Sequence, residues 1–409
     1  MNSRMRVGVP VVVDYLLSHL GFFAVLPVLP LLIERLHPDT TPWFIGAALF
    51  GFNFAIRGAS LFLSRLLHRS TVRGAMVGGL VLAGASFALV PVAPGPTGIL
   101  ACLLLAGTGI STNGLMARVY VALSLSSPAT RNTVFSAVQV AVNVSAALGP
   151  IVANLLLGRD LDTLLMLGVA ATYLLAAGVV LAAIPPRLRP GDQDLRPPLR
   201  LGVFRVVVAD PLVRRVSLIT AVGSFLYAQF FSAVVLQVAA LTESAAWRAS
   251  FFTANAILVV VLQIPVAAYT ARRLSAGTSP FRFLLLGVAV FAAAFAVMGG
   301  AGGSIAGAMA AVGVFSLAET FFTPMVNTAF AEIPGDRPTV ELFNLRQVAA
   351  TAGEALGAFS GGALFLIAVE HQLRPLYWIL LAVGGVLSVL LLAATRNPAQ
   401  TARKAVTKP

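Results

Sequence analysis

Apolar runs of about 20 residues, the length that crosses a bilayer at about 1.5 Å per helical residue, recur along the chain with short polar breaks between them. They fall at 8–32, 43–67, 74–93, 97–117, 132–157, 162–184, 214–239, 247–270, 281–300, 303–325, 341–369 and 375–395. The pattern predicts an all-α membrane protein with twelve transmembrane helices. The first run follows Arg4 and Arg6 as a cleaved leader would, but it is too long, carries Asp14 and has no small-residue cleavage site, so it reads as a retained span. The longest polar segment, 185–211, is rich in Pro and Arg and divides six spans from six. The expected organisation is a six-helix bundle over 1–184, a cytoplasmic linker over 185–213, a second six-helix bundle over 214–395 and a tail over 396–409.

The segment QVAVNVSAALGPIVA at 139–153 returns 208 residues later, without a gap, as QVAATAGEALGAFSG at 347–361, with six of fifteen positions identical. In each copy small residues recur every fourth place, at Ser145, Gly149 and Ala153 and again at Gly353, Gly357 and Gly361. That spacing puts them on one helical stripe, where another helix can come close. Six spans is an even number, so both copies run the same way through the membrane. Two parallel halves place a substrate site between them near the midplane.

Composition agrees with a membrane protein: 58% of residues are hydrophobic and 11% charged, with a mean hydropathy of +0.91, against about 45–50% apolar in soluble domains. Cys102 is the single cysteine, which leaves no disulfide framework and no cysteine metal site. A net charge of +13 would suit nucleic acid if it were gathered on one patch, but the basic residues are scattered between the apolar runs. With both termini in the cytoplasm, 23 of the 28 basic residues fall on the inner side. Only Arg35, Arg159, Arg248 and Arg374 lie outside, and Arg57 is within a span, which is the positive-inside bias. The two lysines, Lys404 and Lys408, stand in the tail, so there is no Walker A lysine for nucleotide phosphates. The histidines His19, His37, His68 and His371 are scattered, and neither a His-x-x-x-His pair nor a Gly-x-Ser-x-Gly elbow occurs. No enzyme activity, metal, cofactor or nucleic-acid partner is expected.

Several stretches resemble the major facilitator superfamily, and within it the twelve-span drug/proton antiporters. In span five, Asn143-x-Ser145-x-x-x-Gly149-Pro150 is similar to the antiporter signature, with Ser145 in place of its first glycine. Pro150 leaves the carbonyl of Ala146 without its helical donor, so a bend is expected there. After span two, Leu66, Arg69 and Arg73 match the Gly-x-Leu-Ala-Asp-Arg-x-Gly-Arg-Arg loop, with His68 where that loop has its aspartate. His68 is then either a pH-sensitive substitute in a cytoplasmic gate or a solvated histidine. Arg118 loosely resembles the superfamily's span-four arginine. Softer matches are Asp14 with Leu20-Gly21-Phe22-Phe23 and Pro27, Tyr227-Ala-Gln229, and NAILVVVLQIP at 255–265.

The resemblance implies two bundles that rock about a central site and move small molecules against protons, in a bacterial cytoplasmic membrane, as a monomer. Uptake of a small metabolite by symport or uniport is the alternative. Ionisable groups in mid-span cost about 2.5–3.5 kcal/mol each on insertion scales and need a partner, a cavity or a task. They are Asp14, His19, Arg57, Glu319 and Glu354. Spans two and eleven pack together in the superfamily, so Arg57 and Glu354 are expected to pair between the halves, with proton uptake by Glu354 loosening the pair. Asp14 and Glu319 are candidates for proton exchange or for attracting a cationic substrate. The alternatives are a pair between Asp14 and Arg118 and, for Glu319, a charge near the interface. His19, Asn143, Tyr227, Gln229, Gln347 and Thr351 are candidates for the substrate cavity, and Phe230 and Phe231 offer either an aromatic wall or a lipid-facing surface.

Overall fold

The computed structural model describes residues 3–125, 128–189, 205, 207–331, 333 and 339–394. Helices occupy all twelve expected spans. Span one comprises two helices, Ser3–Val25 and Leu29–Leu36. Span two is Pro42–Phe62, followed by a short helix, Ser64–Arg69. Spans three to six are Val72–Leu89, Gly95–Ser124, Pro128–Leu157 and Asp162–Ala183. Span seven is again divided, into Pro211–Ala228 and Ala233–Leu241. Spans eight to twelve are Ala245–Ser275, Pro280–Ala301, Ile305–Ala331, Thr339–Glu370 and Arg374–Ala394. Among the described residues, 11 of these helical segments are long and apolar enough to cross a membrane. Span two, with 21 residues, is the twelfth, its apolar character diluted by Asn53 and Arg57.

Local chemistry sets the helix starts. Thr41, Asp210 and Ser279 each accept a bond from a backbone N–H of the first turn, and Pro42, Pro211 and Pro280 stand just inside, where a missing N–H costs nothing. The two divided spans were expected to be continuous. Pro27 accounts for the first break, since it lacks a backbone donor. No proline stands at the second. There a 3-10 turn, Gln229–Phe231, occupies the break, and Ser232 Oγ donates to the carbonyl of Ala228. Span five runs as a single helix through Pro150, with Asn154 Nδ2 donating to the Pro150 carbonyl at 2.9 Å.

Buried apolar side chains separate into two clusters, one drawn from residues 11–184 with Ala358 added, the other from residues 213–382. Span one packs on five and six, span three on four and six, and span two on four. Span seven packs on eleven, span nine on ten and twelve, and span eight on ten, which repeats most of the first set with six added to each number. Between the halves span two meets eleven and span five meets eight, and each of these contacts maps onto the other by the same rule. The fold is two parallel-repeat six-helix bundles about an axis along the membrane normal.

The sequence repeat supplies close contacts inside each bundle. Ser145 Oγ donates to the Leu16 carbonyl of span one at 2.9 Å, and a Cβ on Gly149 would lie 2.7 Å from the Phe23 carbonyl carbon. In the second half, Gly353, Gly357 and Gly361 press against Ala221, Phe225 and Ser232 of span seven. Lipid offers no hydrophobic drive between helices, so such close van der Waals contact holds the pairs together. Near the start of span two and the end of span eleven the halves meet: the Trp43 and Phe359 rings are 5.7 Å apart, and Leu31, Phe231 and Leu366 pack against both clusters. Most of the expected linker and the whole tail lie outside the described residues.

Candidate functional site

Span two crosses span eleven at the seam between the bundles, and small residues let it do so. A Cβ on Gly46 would lie 2.6 Å from the Ala363 Cβ and 2.8 Å from the Phe359 carbonyl oxygen. That approach brings Arg57 Nε to 2.9 Å from Glu354 Oε2, an ion pair between the two halves. Arg57 is 43% exposed and Glu354 12%, so the pair is wet on the arginine side. About two turns back along span eleven, Gln347 Nε2 donates to the Arg57 carbonyl at 3.3 Å and reaches Thr351 Oγ1 at 3.4 Å. Gln347, Thr351 and Glu354 thus share the face of span eleven turned towards span two.

Each half also holds one carboxylate bonded by an asparagine. In the first, Asp14 is fully buried and both its oxygens accept from Asn113 Nδ2 of span four, at 3.1 and 3.2 Å. Among the described residues no cation pairs with it, so the expected alternative of an Asp14–Arg118 pair is corrected. In the second, Glu319 Oε2 accepts from Asn255 Nδ2 of span eight at 3.2 Å, and the same amide reaches Ser316 Oγ at 3.0 Å. Tyr227 lies within hydrogen-bonding reach of Glu319, so Glu319 faces the interior of the second bundle.

His19 stacks on Tyr15 with ring centroids 4.8 Å apart, and the Tyr15 hydroxyl donates to the Gly114 carbonyl at 3.4 Å. The position a Cβ would take on Gly114 is 3.7 Å from Arg118 Nη2, so Arg118 lies along the same stretch of span four. Arg57 and Arg118 both stand within electrostatic range of His19, and Glu319, Glu354 and Arg57 within range of Tyr227. The candidate residues of the two halves therefore converge on one interior region between the bundles. Asn143 is half-buried on span five.

Two cavity expectations are corrected. Gln229 is fully buried, donating to the Gly357 carbonyl at 3.0 Å and accepting from the Tyr377 hydroxyl at 2.6 Å, while Ser360 meets the same hydroxyl at 3.0 Å. It lies at the break in span seven, and its amide serves the packing of spans seven, eleven and twelve. Phe230 is 1% exposed and stacks on Phe315 at 4.8 Å, so it is core and neither a ligand wall nor a lipid-facing surface. Behind this network a cavity of about 690 Å³ opens between spans seven, eleven and twelve, with an almost wholly apolar lining and none of the paired charges.

In the loop after span two, Arg69 is exposed and Arg73 Nη1 reaches the Leu181 carbonyl at 3.4 Å, near the end of span six. The side chains of His68 and Gln139 lie outside the described residues. Asn113 and Asn255 carry the two carboxylates, yet counting only ionisable groups passes over Asn113. A mid-span amide in lipid needs partners as a charge does, and that is the signal that finds it.

Twelve helices in two related bundles, with polar and charged groups gathered at the seam between them, define the class as a membrane transporter. The model of the Major Facilitator Superfamily matches residues 14–340, and the chain belongs to that family. It is similar to the multidrug resistance protein MdtH of Aeromonas salmonicida, 26% identical over 397 residues that cover 93% of this chain and 92% of the relative. The MdtH protein of Edwardsiella ictaluri is 24% identical over 388 residues, covering 93% and 92%. Among solved structures, the peptide transporter PepTSo superposes with a TM-score of 0.78 at 11% identity, covering 95% of this chain and 97% of that one. A mutant of the nucleoside transporter NupG gives 0.76 at 12%, covering 96% and 100%.

Proposed function

We propose that this transporter exports amphipathic small molecules in exchange for protons, from a bacterial cytoplasmic membrane, as a monomer with both termini inside. The observation that carries the reading is Asp14, a carboxyl group buried within a span with an asparagine amide as its described side-chain partner. An intramembrane ionisable group without a counter-charge marks a proton or ion pathway by default. Glu319 on Asn255 gives the second half a corresponding group. The halves comprise residues 1–184 and 214–395, joined by the cytoplasmic linker.

The Arg57–Glu354 pair supplies the coupling element. It ties the bundles together in the arrangement where spans two and eleven meet, and a proton on Glu354 removes the attraction. A ligand or proton shifts such an equilibrium by its differential affinity for the two forms. Arg69, Arg73 and His68 form the cytoplasmic gate, and the stripe through Ser145, Gly149 and Pro150 with its partner Gly353, Gly357 and Gly361 forms the rocking surfaces. Similarity to multidrug resistance proteins over nine-tenths of both chains supports amphipathic drugs as cargo.

The test is a drug-susceptibility panel in an efflux-deficient bacterial host. Wild type should raise the inhibitory concentration of several amphipathic drugs, while Asp14→Asn at equal expression should not. Resistance undiminished in Asp14→Asn refutes the proton role of Asp14, and a wild type that protects against no drug refutes drug export.

A further inference from the structure

Spans four and eleven each carry an arginine in their inner part. Arg118 lies about 9 Å from the inner end of span four and Arg346 about 10 Å from that of span eleven, counting the helical rise between each residue and Ser124 or Thr339. Arg346 directly precedes Gln347, whose amide holds the Arg57 backbone, and stands within electrostatic range of Arg57, Arg118 and Glu354. Glu354 is already engaged by Arg57 at 2.9 Å, and Arg118 is exposed with the Tyr15 hydroxyl within hydrogen-bonding reach. Neither Arg118 nor Arg346 forms an ion pair among the described residues. The Nε of Arg346 is buried and has no hydrogen-bond partner.

A guanidinium with a buried donor unsatisfied and no counter-charge, as at Arg346, is costly inside a membrane protein and marks a binding or transport task. The guanidinium fork matches the oxygens of a carboxylate, sulfonate or phosphate, with two parallel bonds. Beside Arg118 the Tyr15–His19 stack presents aromatic surface, suited to the apolar body of the same molecule. We infer that Arg118 and Arg346 together form a subsite for the anionic group of an amphipathic cargo entering from the inner side. The inference rests on the transport reading above and narrows its substrate class from amphipathic molecules in general to those bearing an acidic group.

The experiment uses full-length protein in phosphatidylcholine nanodiscs without a proton gradient, titrated with dansyl-phenylalanine and with its uncharged amide, two probes that differ in one negative charge. Wild type should bind the acid about tenfold more tightly than the amide, the worth of one charge-assisted pair. Arg118→Gln and Arg346→Gln should each remove most of that preference, and Arg346→Lys should restore part of it. Equal binding of acid and amide by wild type overturns the inference without recourse to any variant, as does a preference that survives both substitutions. Loss of the preference when phosphatidylglycerol replaces a third of the lipid assigns the arginines to lipid headgroups and likewise overturns it. Acid preference without substrate-driven proton movement leaves the subsite standing and removes antiport, while proton movement without acid preference does the reverse.

Discussion

Replacing Glu354 with Gln keeps the shape of the side chain and removes its charge, so Arg57 faces the seam alone. Two unit charges about 4 Å apart attract by about 4 kcal/mol at an effective dielectric of 20 and by about 1 kcal/mol in water. Arg57 is 43% exposed, so the pair belongs towards the wet limit. Discounting for solvent leaves about 1–2 kcal/mol, a factor of about 5–30 in a two-state equilibrium. The ion pair and the Gln347 bond to the Arg57 backbone both require spans two and eleven to be together, so the variant should lose that factor from the conformer in which they meet. Spin labels on the outer ends of spans two and eleven, read by pulsed electron resonance in nanodiscs, report the two populations. Relative to wild type, the distribution of Glu354→Gln should be shifted away from the conformer in which the two spans meet. Adding Arg57→Gln to Glu354→Gln should change the distribution little further, because Arg57, 43% exposed, is already solvated and without its partner in the single variant. A wild-type-like distribution in Glu354→Gln refutes the reasoning.

Asn113→Leu removes the donor to both oxygens of Asp14 and should lower the midpoint of thermal unfolding in detergent, whereas Asp14→Asn should fold normally and lose proton-driven transport. Gly46→Leu places a side chain where Ala363 Cβ and the Phe359 carbonyl already stand, so it should abolish transport while leaving the protein monodisperse, with the outer ends of spans two and eleven further apart. Tyr377→Phe leaves the fully buried Gln229 carbonyl without its donor and should cost about 1–3 kcal/mol, read as a lower unfolding temperature with unchanged drug selectivity.

The span pattern was legible because bilayer thickness imposes one length on every helix, and the repeat at 139–153 and 347–361 revealed the pairing within each half because close helix contact in lipid demands small residues at fixed spacing. The breaks in spans one and seven were harder to read: Pro27 announces the first, but Gln229 and Ser232 announce the second only once Tyr377 and Gly357 are seen beside them. Arg57 and Glu354 could be paired from the superfamily resemblance, in which spans two and eleven pack together. Which carboxylate meets which amide could not, since Asp14 and Asn113 are 99 residues apart and depth alone leaves rotation about the helix axis undetermined. For the same reason Gln229 and Tyr227, two residues apart, were assigned to one surface although they face different ways.

The central claim is that cargo and protons cross in opposite directions through the seam between the bundles. Everted vesicles carrying the protein, loaded with a respiratory proton gradient and a pH-sensitive dye, measure it directly. Addition of a transported amphipathic substrate should dissipate the gradient with wild type and not with Asp14→Asn, and a wild-type gradient that persists while labelled substrate still accumulates would contradict the account.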